Sequence, residues 1–97
     1  EMPEFPGGTE ALQRYLAQSV RYPVIAQENG IQGRVYIQFV INQNGEVTNA
    51  DILRGVDPSL DREALRVVEA MPNWKPGKQR NRPVRVSYIV PINFLLQ

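Results

Sequence analysis

The strongest constraint on this chain lies near its end. From Val84 to Phe94, apolar Val84, Val86, Tyr88, Val90, Ile92 and Phe94 alternate with Arg85, Ser87, Ile89, Pro91 and Asn93. A period of two puts the two sets on opposite faces of an extended strand. The chain must therefore supply partner strands, and a second layer to cover the apolar face. At roughly 3.3 Å per residue the pattern runs for about 36 Å, so this strand is expected to outrun its neighbours. Pro91 has no N–H to give to a ladder, which places the strand at an edge of its sheet.

The partners lie upstream. Val35, Ile37, Phe39 and Ile41 alternate with Arg34, Tyr36, Gln38 and Val40, a half-buried strand. Asn42-Gln43-Asn44-Gly45 has hairpin turn chemistry, with Asn44 and Gly45 both tolerant of positive φ. A return strand follows from about Glu46 to Arg54. Its apolar phase slips between Val47 and the pair Ala50/Ile52, as a bulge near Thr48-Asn49 would cause.

Two helices supply the covering layer. Leu12, Tyr15, Leu16 and Val20 fall on one face of a helix over Thr9–Val20, with Gly8 or Thr9 as N-cap. Arg21-Tyr22-Pro23 interrupts it, and a short turn over Pro23–Glu28, proline first, ends at Asn29-Gly30. Asp57-Pro58 announces the second helix as N-cap and first residue. Leu60, Ala64, Leu65, Val68 and Met71 form its buried stripe, and Pro72 stops it. A loop from Asn73 to Lys78 then leads through a basic stretch to the last strand.

The fold class is therefore α+β: two helices on one face of a three-stranded antiparallel sheet, in the order helix, strand, strand, helix, strand. If the second helix carries the chain back over the sheet, the last strand lies antiparallel beside the first, giving sheet order 2-1-3. The alternative order 1-2-3 needs a parallel pair, which is usually buried on both faces. Residues 1–8, rich in Pro and Gly, read as the end of a linker, and residues 9–97 as the domain.

Chemistry is scarce. The chain has no Cys and no His, which removes disulfides, thiolate and imidazole metal sites, and the usual nucleophile–base pairs. Ser19, Ser59 and Ser87 have no activating partner, and the glycines form no phosphate-binding loop. The reading is of a non-enzyme needing no cofactor and no metal. No apolar run approaches the roughly 18–20 residues needed to cross a bilayer as a helix.

The net charge of +1 conceals an asymmetry: residues 1–69 carry −4, residues 70–97 carry +5 with no acid. Lys75, Lys78, Arg80, Arg82 and Arg85 would suit an acidic or anionic partner, or simply form a solvated loop. Nucleic acid is not expected, since the footprint is modest and no recognition motif accompanies it.

An exposed edge strand must be blunted or used. It can accept an extended peptide as a further strand, sit under a loop, or pair with a second copy. Trp74, between Met71 and Pro76, reads as a core residue beneath a Pro/Gly turn. Tyr22-Pro23 reads either as a packed helix stop or as an exposed element beside the edge.

Several short signatures then line up. Phe5-Pro6-Gly7-Gly8 precedes the first helix, and Tyr22-Pro23 with Ala26 follows it. Next come Gly33-x-Val35-x-Ile37-x-Phe39, Gly45-x-Val47, Asp61-x-x-Ala64 and Trp74-Lys75-Pro76-Gly77. Pro83-Val84 and Tyr88-x-Val90-Pro91-Ile92-x-Phe94 close the set. In this order they resemble the C-terminal domain of TonB over nearly all of residues 5–95. The C-terminal domain of TolA has a similar architecture and is the weaker match.

The resemblance implies a periplasmic domain, anchored to the inner membrane through an N-terminal helix absent from this chain. That helix would meet the ExbB–ExbD motor. The domain itself would bind the TonB box and plug of an outer-membrane transporter and pass on force derived from the proton gradient. The family's box-pairing edge falls on Arg82, Val84, Arg85, Val86, Ser87, Tyr88, Ile89 and Val90, and continues to about Phe94. Its plug-contacting segment falls on Ser19, Arg21, Tyr22 and Pro23. Pro91 departs from an uninterrupted docking strand. A homodimer, or a structural or sensing domain of another periplasm-facing membrane protein, would use the same edge.

Overall fold

A computed structural model describes residues 1–97. Helix α1 spans Gly8–Ser19 and a single turn, α2, spans Val24–Glu28. Strands β1 (Gly33–Ile41) and β2 (Val47–Arg54) form the hairpin, and α3 spans Pro58–Glu69. Two short strands, β3 (Gly77–Gln79) and β4 (Arg82–Val84), precede β5 (Val86–Phe94).

The main sheet has the order β2-β1-β5, all antiparallel, which is the expected 2-1-3 arrangement. Central β1 buries Val35, Ile37, Phe39 and Ile41 completely. Opposite them β5 contributes Val90, Ile92 and Phe94, also buried. Each such side chain stabilises the fold by about 1.5–3 kcal/mol relative to exposure. Leu12 and Leu16 of α1, and Leu60, Ala64, Val67 and Val68 of α3, complete the core from one face. The opposite face, with Arg34, Ser87, Ile89 and Asn93, is left to solvent.

The caps follow the local chemistry. Asp57 accepts the Ser59 amide at 3.0 Å, with Pro58 at the head of α3, as expected. The N-cap of α1 is Gly7 rather than Gly8 or Thr9: it sits at φ 88°, and a Cβ there would lie 2.8 Å from that of Ala11. Pro23 caps α2 instead of opening it.

The last strand differs from the expectation in two ways. The alternation continues through Arg85, but the pairing does not. Arg82–Val84 folds back on Gly77–Gln79 as a separate hairpin, and β5 begins only at Val86. Nor does β5 outrun its neighbour, because its nine residues pair one for one with the nine of β1. In β2 the expected irregularity is present: the register slips between Val40↔Thr48 and Gln38↔Asp51, with Asn49 at φ 53°. A second slip, near Leu53, had no signal in the sequence.

Residues 1–8 lie against the domain. Glu4 exchanges main-chain hydrogen bonds with Lys75 at 2.9 and 2.8 Å, and Phe5 is buried with its ring 5.5 Å from Trp74.

Candidate functional site

The site follows from the phase of the ladder. Thr48 Oγ1 donates to the Val40 carbonyl at 3.2 Å, so the main-chain groups of Val40 face β2. In an unbroken strand these directions alternate, so those of Val35, Ile37, Phe39 and Ile41 face β5. Their partners there are Ile92, Val90, Tyr88 and Val86. The remaining β5 residues, Ser87, Ile89, Pro91 and Asn93, therefore aim their main-chain groups away from the sheet. No loop or cap hydrogen bond reaches them. Three N–H donors and four carbonyl acceptors stand in a row, with one donor missing at Pro91. That is why the proline is tolerated: it occupies an outward position where β1 loses no bond.

A groove of about 500 Å³ adjoins the second half of this edge. Leu16 and Ala17 of α1, with Val20 at its C-cap, form one wall; Pro91, Asn93 and Leu95 form the other. Tyr22 closes one side. Its ring stands edge-on to Phe94 at 5.6 Å, and its hydroxyl donates to the Ile31 carbonyl. Tyr22 is thus a packed helix stop, half-buried against the core, that also lines the groove.

The residues named for the docking edge are divided among several places. Ile89 is 47% exposed, and Ser87 Oγ accepts from Gln38 Nε2 at 3.0 Å on the open face. Val86, Tyr88 and Val90 turn their side chains inward; the Tyr88 ring lies 5.0 Å from Trp74 and 5.7 Å from Phe39. Only their neighbours' main chain is offered at the edge. Arg82 and Val84 belong to the β3–β4 hairpin, and Arg85 is exposed at the joint.

The Tyr-Pro segment is divided as well. Ser19 and Arg21 face α3, where Arg66 donates to the Ser19 carbonyl at 2.9 Å and Glu63 accepts the Arg21 amide at 2.8 Å. Arg66 and Glu63 form a two-pronged pair, both contacts 2.7 Å. The Arg66 hydrogen bond holds the Glu63 carboxyl below its usual range and raises the guanidinium in turn. Pro23 is half-buried at the head of α2. The groove wall of Leu16, Ala17 and Val20 was missed as site. Leu16 and Val20 carry the helical core spacing, and only the tertiary fold brings them beside β5.

No group of three or more Asp or Glu stands close enough to hold a metal. Nothing in the edge or groove assembles a nucleophile with a base. The arrangement offers main-chain hydrogen bonds in a row and a partly apolar trough beside them, which is the chemistry of holding an extended chain.

Fold and site together define a class: a two-layer α+β domain with one long edge strand left open. The chain belongs to the family of Gram-negative bacterial TonB protein C-terminal domains, whose profile matches residues 18–96. Protein TonB of Helicobacter pylori strain 26695 is 28% identical over 87 residues, 89% of this chain. That of strain J99 is also 28% identical, over 79% of the chain. The chain spans 29% of the length of these relatives. The solution structure of the Helicobacter pylori TonB C-terminal domain superposes with a TM-score of 0.68 at 27% identity, covering 89% of this chain and 90% of that one. A longer form of the same domain gives 0.66, covering 88% and 77%.

Proposed function

We propose that this chain is the partner-gripping module of a TonB-type energy transducer, working in the periplasm and performing no chemistry of its own. An anchor helix upstream of residue 1 would hold it to the inner membrane and couple it to ExbB–ExbD. Its partner is the TonB box and plug region of an outer-membrane transporter. Force derived from the proton gradient passes through the grip and opens the plug for a siderophore or another nutrient.

The observation that carries this reading is the open edge of β5. An extended peptide adding there bonds to Ser87 and Ile89, loses one donor opposite Pro91, and regains contact at Asn93. Its side chains on one face enter the groove beside Leu16 and Tyr22. Family membership supports the identity of the peptide; the edge supports the mode of binding.

Titration of isotope-labelled protein with TonB-box peptides from transporters of the same genome tests it. The amides of Ser87, Ile89 and Asn93 are expected to shift. If none of them moves at millimolar peptide, this docking edge is wrong. A stable dimer in sedimentation, protecting the same amides, would assign the edge to a second copy instead.

A further inference from the structure

The β3–β4 hairpin lies outside the row of outward main-chain groups on β5. It continues from the Val86 end of β5, away from the groove at Pro91–Leu95. Gly77, at its root, is within 2.9 Å of the Val86 side chain, measured from the Cβ position it lacks. Beyond that point the arm carries Lys78, Arg80 and Arg82, flanked by Lys75 and Arg85, and no acidic residue follows Glu69. The one ion pair in the structure joins Arg66 to Glu63, so none of the five cations is paired with a carboxylate.

Two features show that the charge is not a by-product of folding. The central residues of the turn are Arg80 and Asn81, at φ 53° and 65°, as a two-residue hairpin with this twist requires. Asparagine accepts that conformation; arginine is strained in it, and glycine would not be. The β1–β2 turn of the same chain does use glycine, at Gly45. An arginine thus holds the tip of the arm against its own backbone preference.

Secondly, the cations surround the arm. The register Gln79↔Arg82 and Lys78↔Pro83 puts Arg82 and Lys78 on opposite faces, with Arg80 at the apex. A flat protein face would meet only one side of such an arm. A layer of phosphate headgroups into which the tip is pressed meets all of them. Bases would need an aromatic platform, and none is free: Trp74 is buried, and Tyr88 is packed against it. Glu1 and Glu4 stand at the root, the former joined to Lys78 by a main-chain hydrogen bond, and neither forms an ion pair with the arm.

We infer that the β3–β4 hairpin is an electrostatic foot that seats the domain on an anionic phospholipid surface, leaving the β5 edge free. Each cation near such a surface strengthens binding about fivefold, so removing two weakens it about thirtyfold.

Flotation of the chain with two kinds of vesicle tests this: phosphatidylcholine alone, and phosphatidylcholine mixed with phosphatidylglycerol. Binding is expected only to the mixed vesicles, with loss at high salt. The pair Arg80→Gln/Arg82→Gln should weaken it about thirtyfold, with an unchanged circular-dichroism spectrum. The pair Arg14→Gln/Arg62→Gln removes the same charge from exposed helix positions and should bind as the parent does. Equal loss in both pairs would reduce the effect to net charge and overturn the foot. So would an absence of binding to mixed vesicles, including one in which polyglutamate shifts the Arg80–Arg82 amides, which would assign the arm to an acidic protein.

Discussion

At Gly45 the main chain turns at φ 83° and its carbonyl accepts the Trp74 amide at 2.7 Å. A Cβ at that position would lie 1.9 Å from the Trp74 carbonyl oxygen, a backbone atom that no rotamer change can move aside. Gly45→Ala therefore combines left-handed strain with displacement of the Trp74 loop. The cost is expected to be about 3 kcal/mol, mostly from overpacking. Urea unfolding should show a lowered midpoint at unchanged slope. A loss under about 1 kcal/mol would mean that the loop gives way easily, and that Trp74 is not fixed from this side. Trp74 itself is 4% exposed and meets the rings of Phe5, Phe39 and Tyr88 at 5.0–5.7 Å. It is a core residue, as its place under a Pro/Gly turn implied. Its indole N–H is buried with no protein acceptor in reach.

Among the elements, β5 joins fold to proposed function, and Pro91 is its most informative position. Because the proline faces outward, Pro91→Ala leaves the β1 ladder whole and restores one donor to the edge. A single net hydrogen bond of about 1 kcal/mol would tighten a docked peptide roughly fivefold. Isothermal titration of parent and variant with the same peptide measures this. An unchanged affinity would place the peptide on the Ser87–Ile89 half alone. How far such elements could be read in advance depended on whether their chemistry is local. Alternation over Val84–Phe94 revealed the edge strand, and the slipped phase around Thr48-Asn49 revealed the bulge, because both are written in side-chain period. The break at Arg85 was hidden because alternation persists through it. The β3–β4 hairpin was hidden because Arg80-Asn81 lacks the usual Asn-Gly turn signal. The open edge was therefore legible, while the groove beside it was not. Leu16 and Val20 look the same in sequence whether they border a trough or fill a core.

At the scale of the whole molecule, the domain is long and thin, 50 × 22 × 16 Å, and hydrogen bonds to α3 tie down the groove wall from behind. That brace is partly ionic. Glu63 joins Arg66 and the Arg21 amide, Arg66 reaches the Ser19 carbonyl, and the Tyr15 hydroxyl donates to the Val67 carbonyl at 2.7 Å. Its pH dependence can be signed from these contacts. The Arg66 hydrogen bond lowers the Glu63 carboxyl in the folded state, and the Ser59 hydrogen bonds lower that of Asp57. Their stabilisation is complete above the unfolded carboxyl range, at about pH 4–4.5, and is lost as pH falls through the folded values. Burial raises the Tyr15 phenol, so the folded state resists its ionisation. Stability therefore falls again as pH climbs past about 10, where the unfolded chain loses that proton more readily. With no histidine in the sequence, no imidazole adds a step between these limbs. The urea midpoint should stay nearly level from about pH 6 to 9 and decline on both sides. Glu63→Gln should flatten part of the acid limb, and Tyr15→Phe the alkaline one. An acid limb that Glu63→Gln leaves unaltered would show that the Glu63 carboxylate contributes nothing to folding, and that α1 is held to α3 by its apolar face and the Tyr15–Val67 hydrogen bond.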